Sequence, residues 1–298
     1  MNIINSHEPF QRFNPLNDFL FFKVMGEKGD EVQLLGFLNA VLGRSGKEPI
    51  KSVEIKENKT FIKSILEGKS CILDVLAVLH NGTKVNIEVQ LSNQYNMERR
   101  SLFYWSKVYL ESLKGGQDYR KLPNVIAVNI VDFDFPPEGD THTCFHLREA
   151  TNPSLVLSPA LEIHFINMVK WREGEKGLDD PLHRWLVWFD EESPPELIKE
   201  VIGMDSAIMA ASERQDFIIQ DDEAYQMYWM RRKVEHDLIS NLNGAREEGE
   251  EIVLQKGEQI GREKKATEIA RKLKDKGLPL AEIVDITGLP TETINGLQ

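Results

Sequence analysis

Residues 71–91 read CILDVLAVLHNGTKVNIEVQL, two apolar segments on either side of His80-Asn81-Gly82, and the way they pair decides the fold. In an extended strand successive side chains point to opposite faces. Val85, Ile87, Val89 and Leu91 therefore share one face of the second segment, and Lys84, Asn86, Glu88 and Gln90 share the other. The first segment is apolar on both faces except at Asp74, as expected of a central strand covered on both sides with one carboxylate embedded in it. A two-residue Asn81-Gly82 turn would pair residue 74 with residue 89 and put Asp74 and Glu88 on opposite faces. A three-residue loop with Gly82 left-handed in a bulge pairs 79 with 83 and sets Asp74 directly across from Glu88. This second register is the one predicted.

Upstream, residues 16–42 predict two short helices, because Phe19, Phe22 and Val24, then Leu34, Leu35, Leu38 and Leu42, recur at near-helical spacing around a glycine-containing break. Strands are predicted at 51–57, 59–66, 71–79, 84–91 and 124–133, each rich in Val, Ile or Leu and bounded by Gly, Asn, Lys or Pro. Between the last two, a helix is expected over 95–115, closing at Gly115 and Gly116. The early part is thus α/β, a mainly antiparallel sheet flanked by helices. Past Pro136-Pro137 a strand at 161–167 is expected to join the sheet, and from about 180 the periodicity is helical. The expected division is a core over 1–150, a helical extension packing on it over 151–243, a charged linker or helix over 244–265 with glycines at 244, 249, 257 and 261, and a helix-turn-helix-like element over 266–298. That last element is as suited to packing or dimerisation as to DNA, because Arg271, Lys272, Lys274 and Lys276 all precede its final helix.

The net charge of -12 argues against nucleic acid until its distribution is considered. Residues 1–135 carry 17 Lys and Arg against 16 Asp and Glu, so the whole acidic surplus falls in 136–298. The first half is electrostatically open to a polyanion. Cys71 and Cys144 lie in apolar surroundings without Cys-x-x-Cys or Cys/His spacing, and the seven histidines show no mutual metal spacing, so neither a disulfide framework nor a zinc site is expected. With no apolar run near membrane-spanning length and no leader-like N-terminus, the expected location is the cytoplasm.

Two carboxylates on adjoining buried strands repel one another and are costly to desolvate, and a cation held between them relieves both penalties. Oxygen donors favour Mg²⁺ or Mn²⁺, ions that also activate water and stabilise charge on phosphorus. Asp74, a hairpin and then Glu88-x-Gln90 resembles the D…(D/E)xK core of restriction-endonuclease-like folds, in the variant with glutamine at the lysine position found in the Rpn (recombination-promoting nuclease) and related transposase-like family. Asn17-Asp18-Phe19-Leu20-Phe21-Phe22-Lys23, the helix Arg100-Ser101-Leu102-Phe103-Tyr104, Gly116-Gln117-Asp118-Tyr119 and the terminal Thr287-Gly288-Leu289 are similar to further segments of that family.

The resemblance implies a PD-(D/E)XK core and Mg²⁺-dependent hydrolysis of DNA phosphodiester bonds, associated with recombination or mobile DNA. It implies metal binding by Asp74 and Glu88 with the Val89 carbonyl as a further ligand, and a water- or phosphate-holding role for Gln90. Asp18, or Glu31 in its place, would complete the site, although Asp18 is equally suited to cap its helix. A glutamine cannot bring the positive charge of a lysine. Lys23, Arg100 and Lys107 are the candidates to restore it, and with Arg99 they are the expected DNA contacts. Arg99 and Arg100 have a bland reading as solvated helix charges, and Tyr104, Trp105 and Tyr109 as core. A homodimer is attractive because breaking both strands at once takes two sites. The alternatives are a catalytically silent DNA-binding or assembly protein on the same fold, and an RNA-cleaving nuclease.

Overall fold

The computed structural model describes residues 12–29, 31–56, 75–113, 116 and 118–297. The strand expected at 59–66 lies outside them, as do Cys71 and Asp74. The chain divides into two compact units, Met1–Glu235 and His236–Gln298.

In the first unit the helices α1 (Asp18–Met25) and α2 (Val32–Gly43) precede the sheet, as their apolar spacing predicts. Asn17, not Asp18, caps α1: its side-chain oxygen accepts the Leu20 amide at 3.3 Å and satisfies one of the free donors of the first turn. Asp18 instead takes the amide of Phe19 and an ion pair from Arg231.

Among the described residues six strands follow, β1 (Val53–Lys56), β2 (Val75–Leu79), β3 (Lys84–Gln90), β4 (Val125–Val131), β5 (His142–His146) and β6 (Leu161–Asn167), in the order β1-β2-β3-β4-β6-β5. The pairs β1/β2, β2/β3 and β5/β6 are antiparallel, and β3/β4 and β4/β6 are parallel. The strand expected at 161–167 is present and lies inside the sheet, so the sheet runs past residue 150. The edge strand β5 is unheralded, because HTCFH has neither an apolar run nor an apolar alternation.

The β2–β3 connection takes the three-residue form. Gly82 has φ +82°, a value that costs a side-chain-bearing residue, and the Leu79 amide donates to the Thr83 carbonyl at 2.8 Å. Val78 then pairs with Lys84 and Val75 with Ile87, the predicted register. Following that register across the sheet, one face carries Asn86 and Glu88 of β3, Ala127 and Asn129 of β4, and Ile163 and Phe165 of β6. The other carries Val75 and Ala77, Val85 and Ile87, Ile126, Val128 and Ile130, and the even-numbered residues of β5 and β6.

The helix α3 (Met97–Leu110) covers the first face, packing Met97 against Ala127 and Val131 and Tyr104 and Val108 against Val125. It is shorter than the 95–115 expected. The Ser112 amide donates to the Tyr109 carbonyl and the Leu113 amide to that of Leu110, and these three-residue closures end the helix before its glycines are reached. Tyr104 is buried, and Trp105 stacks on Tyr109 with ring centroids 4.8 Å apart, in keeping with the structural reading of that aromatic stripe.

The second face belongs to the main core with α1, α2, α4 (Met168–Glu173), α5 (Pro181–Phe189), α6 (Pro195–Met204) and α7 (Ser206–Ile219). Trp171, Trp185, Trp188 and Phe189 fill its centre. Here α2 and α7 approach so closely that a Cβ on Gly36 would lie 2.3 Å from that of Ala207.

The helix α8 (Asp222–Asp275) is continuous through glycines 244, 249, 257 and 261, over the segment where a linker or helix is expected. In the second unit its Ala270 packs with Ile283 of α9 (Leu280–Thr287) and Ile294 of α10 (Thr291–Asn295). Gly277 and Gly288 are left-handed at the two helix ends, where the sequence places the stop and the turn. No described helix is long and apolar enough to cross a membrane.

Candidate active site

Glu88 lies on the sheet face beneath α3 and is only 3 % exposed. Its neighbours on that face are Asn86, two residues back along β3, and Asn129, its register partner on β4, both buried. Neither belongs to the motif from which the site is expected, although Asn86 shares the period-two face of Glu88.

From α3, Arg100 brings its Nε to 3.5 Å from Glu88 Oε2, and its guanidinium sits 5.2 Å from the centre of the Tyr104 ring. Among the described residues Arg100 and Asn86 come close enough to favour the charged form of Glu88, and neither makes a hydrogen bond of good geometry with its carboxylate oxygens. Burial pushes its carboxyl up to about 7, and Arg100 and Asn86 pull it back only in part. The ionised side chain is thus under-compensated where it stands. A buried acid with unsatisfied oxygens fits a hard divalent cation, the type of ion that oxygen donors select.

The other expected residues are distributed unevenly. Asp74 lies outside the described residues; the last described pair on its strand, Val75 with Ile87, has the register predicted for it. Val89 directs its side chain to the main-core face. Gln90, at the end of β3, donates from Nε2 to the Ser92 carbonyl at 3.1 Å, and its backbone carbonyl accepts the Asp132 amide at 3.0 Å. Of the three cations that could replace a lysine, Arg100 is the one that forms an ion pair with Glu88. Lys23 of α1 pairs with Glu27, just beyond that helix, at 2.5 Å, while Arg99 is exposed and Lys107 half-buried on α3. Glu31 accepts the Gly29 amide at 3.2 Å.

Asp18 belongs to a network that its helix position alone does not reveal. At the end of β4, Arg172 bridges Asp132 at 2.5 Å and Asp190 at 3.1 Å, and Arg232 of α8 pairs with Glu191 at 2.9 Å. Within this network burial pushes Glu235 up to about 7; Arg232 opposes the shift, while Glu191, Asp18 and Asp132 add to it. Its members come from distant parts of the chain, with no spacing signal.

One expectation is overturned. Cys144 is not in apolar surroundings: the pairing of β5 with β6 gathers it with His146, Glu162 and His164, and the ligand atoms of Cys144, Glu162 and His164 all lie within 4.8 Å of one another. Loop-type spacing rules miss this cluster because alternate residues of two strands create it.

In comparison with known proteins, the family model described as PD-(D/E)XK nuclease family transposase matches residues 15–245, which takes in every described element from α1 to α7. Neither a curated protein nor a solved structure shows significant similarity to the chain.

Proposed function

We propose that this chain, which belongs to the PD-(D/E)XK nuclease family transposases, is a metal-dependent DNA endonuclease acting in the cytoplasm on recombining or mobile DNA. One observation carries the reading: a buried carboxylate, Glu88, whose oxygens make no hydrogen bond of good geometry among the described residues beside the 3.5 Å ion pair to Arg100, on a strand whose register with β2, continued by one residue, would set Asp74 beside it. Nucleases of this family generally use divalent metal ions.

Asp74 and Glu88 would hold Mg²⁺, or Mn²⁺ in its place, with the Val89 carbonyl as a further ligand. Bound there, the ion supplies Lewis acidity toward water and phosphate oxygen. Gln90 orients the water or a phosphate oxygen through its amide. Arg100 holds Glu88 toward its charged form and brings positive charge that an amide lacks. Arg99, Lys23 and Lys107 contact backbone phosphates, and Asp18 adds a carboxylate from the helical layer.

Plasmid nicking in Mg²⁺ by the wild type and by Asp74→Ala, with RNA of the same sequence in parallel, tests this function. The expected result is DNA cleavage that chelator abolishes and the variant lacks. Equal inactivity of both proteins would instead favour a silent DNA-binding or assembly protein, and cleavage confined to RNA would reassign the substrate.

A further inference from the structure

The second cluster lies on the opposite face of the sheet from Glu88. In the antiparallel β5/β6 pair, Cys144 stands directly across from His164 and His146 across from Glu162, so alternate residues of both strands turn four donors to one side. The Sγ of Cys144 is 3.7 Å from His164 Nε2 and 3.3 Å from His146 Nε2, and His164 Nε2 is 2.7 Å from Glu162 Oε1. His164 is fully buried and Glu162 nearly so, while Cys144 and His146 are half-buried, leaving an approach from solvent on their side.

The surroundings hold these donors in place. Lys47, in the loop after α2, reaches the outer oxygen of Glu162 at 2.5 Å, which leaves Oε1 turned toward His164 and Cys144. On the far side of the imidazole, His142 lies edge to edge and nearly coplanar with His164, its Nε2 2.9 Å from His164 Nδ1. When His164 donates its Nδ1 proton to His142, its Nε2 lone pair faces the thiol and the carboxylate. Metal-binding histidines are usually oriented this way, by a hydrogen bond at the other ring nitrogen.

We propose that Cys144, Glu162 and His164 form a binding site for a zinc-class transition-metal ion that ties the edge strand β5 to β6, and that His146, its Nε2 3.3 Å from the thiol, turns in as fourth donor when the ion binds. Sulfur, nitrogen and carboxylate oxygen at one point suit Zn²⁺ or Co²⁺ in four-coordinate geometry, whereas Mg²⁺ selects oxygen donors. Binding converts the Cys144 thiol to a thiolate and releases its proton to solvent, one proton per ion. The site has no part in the reaction proposed at Glu88 and stands whether or not that reaction occurs.

Cobalt is the probe, because thiolate ligation gives a near-ultraviolet charge-transfer band that a carboxylate-only site does not give. The full-length protein, stripped with chelator and reduced, is titrated with Co²⁺. Expected is a band that saturates at one equivalent, is bleached by Zn²⁺ but not by excess Mg²⁺, persists in Cys71→Ser and is lost in Cys144→Ser. The wild-type titration is decisive even if Cys144→Ser does not fold, since absence of the band there overturns the proposal. A band lost in Cys71→Ser and kept in Cys144→Ser overturns it as well.

Discussion

Arg100 stands 3.5 Å from Glu88 across the α3–β3 interface, and it does not restore that carboxyl to the usual acid range: burial still leaves it near 7. Replacing Arg100 with methionine keeps much of the aliphatic packing and removes the cation. The acid form of Glu88 is then favoured further, so the acidic limb of the pH–rate profile for Mg²⁺-dependent cleavage should move to higher pH. A profile that only scales down, with its limb unmoved, would separate Arg100 from Glu88 and leave it a phosphate contact.

Glu88→Gln should abolish cleavage while making the metal-free protein more stable at pH 8. The net upward shift means that desolvation of the charge outweighs what Arg100 and Asn86 return, and the amide carries no charge to desolvate. A rise of about 1–3 kcal/mol in chelator is the expected scale. Urea melts of both proteins in chelator check it, and a destabilised variant would show Glu88 to be well paired without metal.

Glu235 gives a separate pH signature. Its carboxyl is raised to about 7, so it contributes stability at low pH that is lost as pH rises through that value. Glu235→Gln removes the loss: the variant should gain on the wild type between pH 5 and pH 8, by about 1–2 kcal/mol after solvent screening. Melting curves across that range measure the gap, and a constant difference would contradict the assignment.

Gly36→Ala should destabilise, because the new methyl would sit 2.3 Å from the Ala207 side chain and force α2 and α7 apart. Overpacking of this kind costs about 1–3 kcal/mol. The double variant Gly36→Ala with Ala207→Gly should recover most of it, whereas additive losses would place the strain elsewhere.

Gly82→Ala should cost about 1 kcal/mol, since alanine pays to hold the left-handed conformation that the three-residue loop requires. Thermal melts of Gly82→Ala and Gly82→Asn should rank asparagine closer to the wild type. An alanine variant equal to the wild type would mean the loop can re-form without a left-handed residue.

What the sequence discloses depends on how local the cause is. The left-handed Gly82 and the glycine stops at 277 and 288 act within a few residues, and the hairpin register follows from one loop length, whereas the cap of α1 falls on Asn17 and not on Asp18. The alternation along β3 is equally local, and it suffices to set Glu88 on the same face as Asn86 and Gln90. Contacts between distant segments leave no such trace: Asp18 meets Arg231 across 213 residues, and Arg172 joins the end of β4 to the end of α5. The Cys144 cluster is hidden differently, because a spacing of two in HTCFH and in Glu162-Ile163-His164 reads as strand alternation until β5 and β6 are paired.

The most direct test of the central claim is the anomalous difference map of a crystal soaked in Mn²⁺. The account predicts a peak within about 2.0–2.3 Å of a carboxylate oxygen from each of Asp74 and Glu88, on the sheet face beneath α3. Asp74 turned to the other face, or a peak that touches Glu88 without it, would contradict a shared ion at this site.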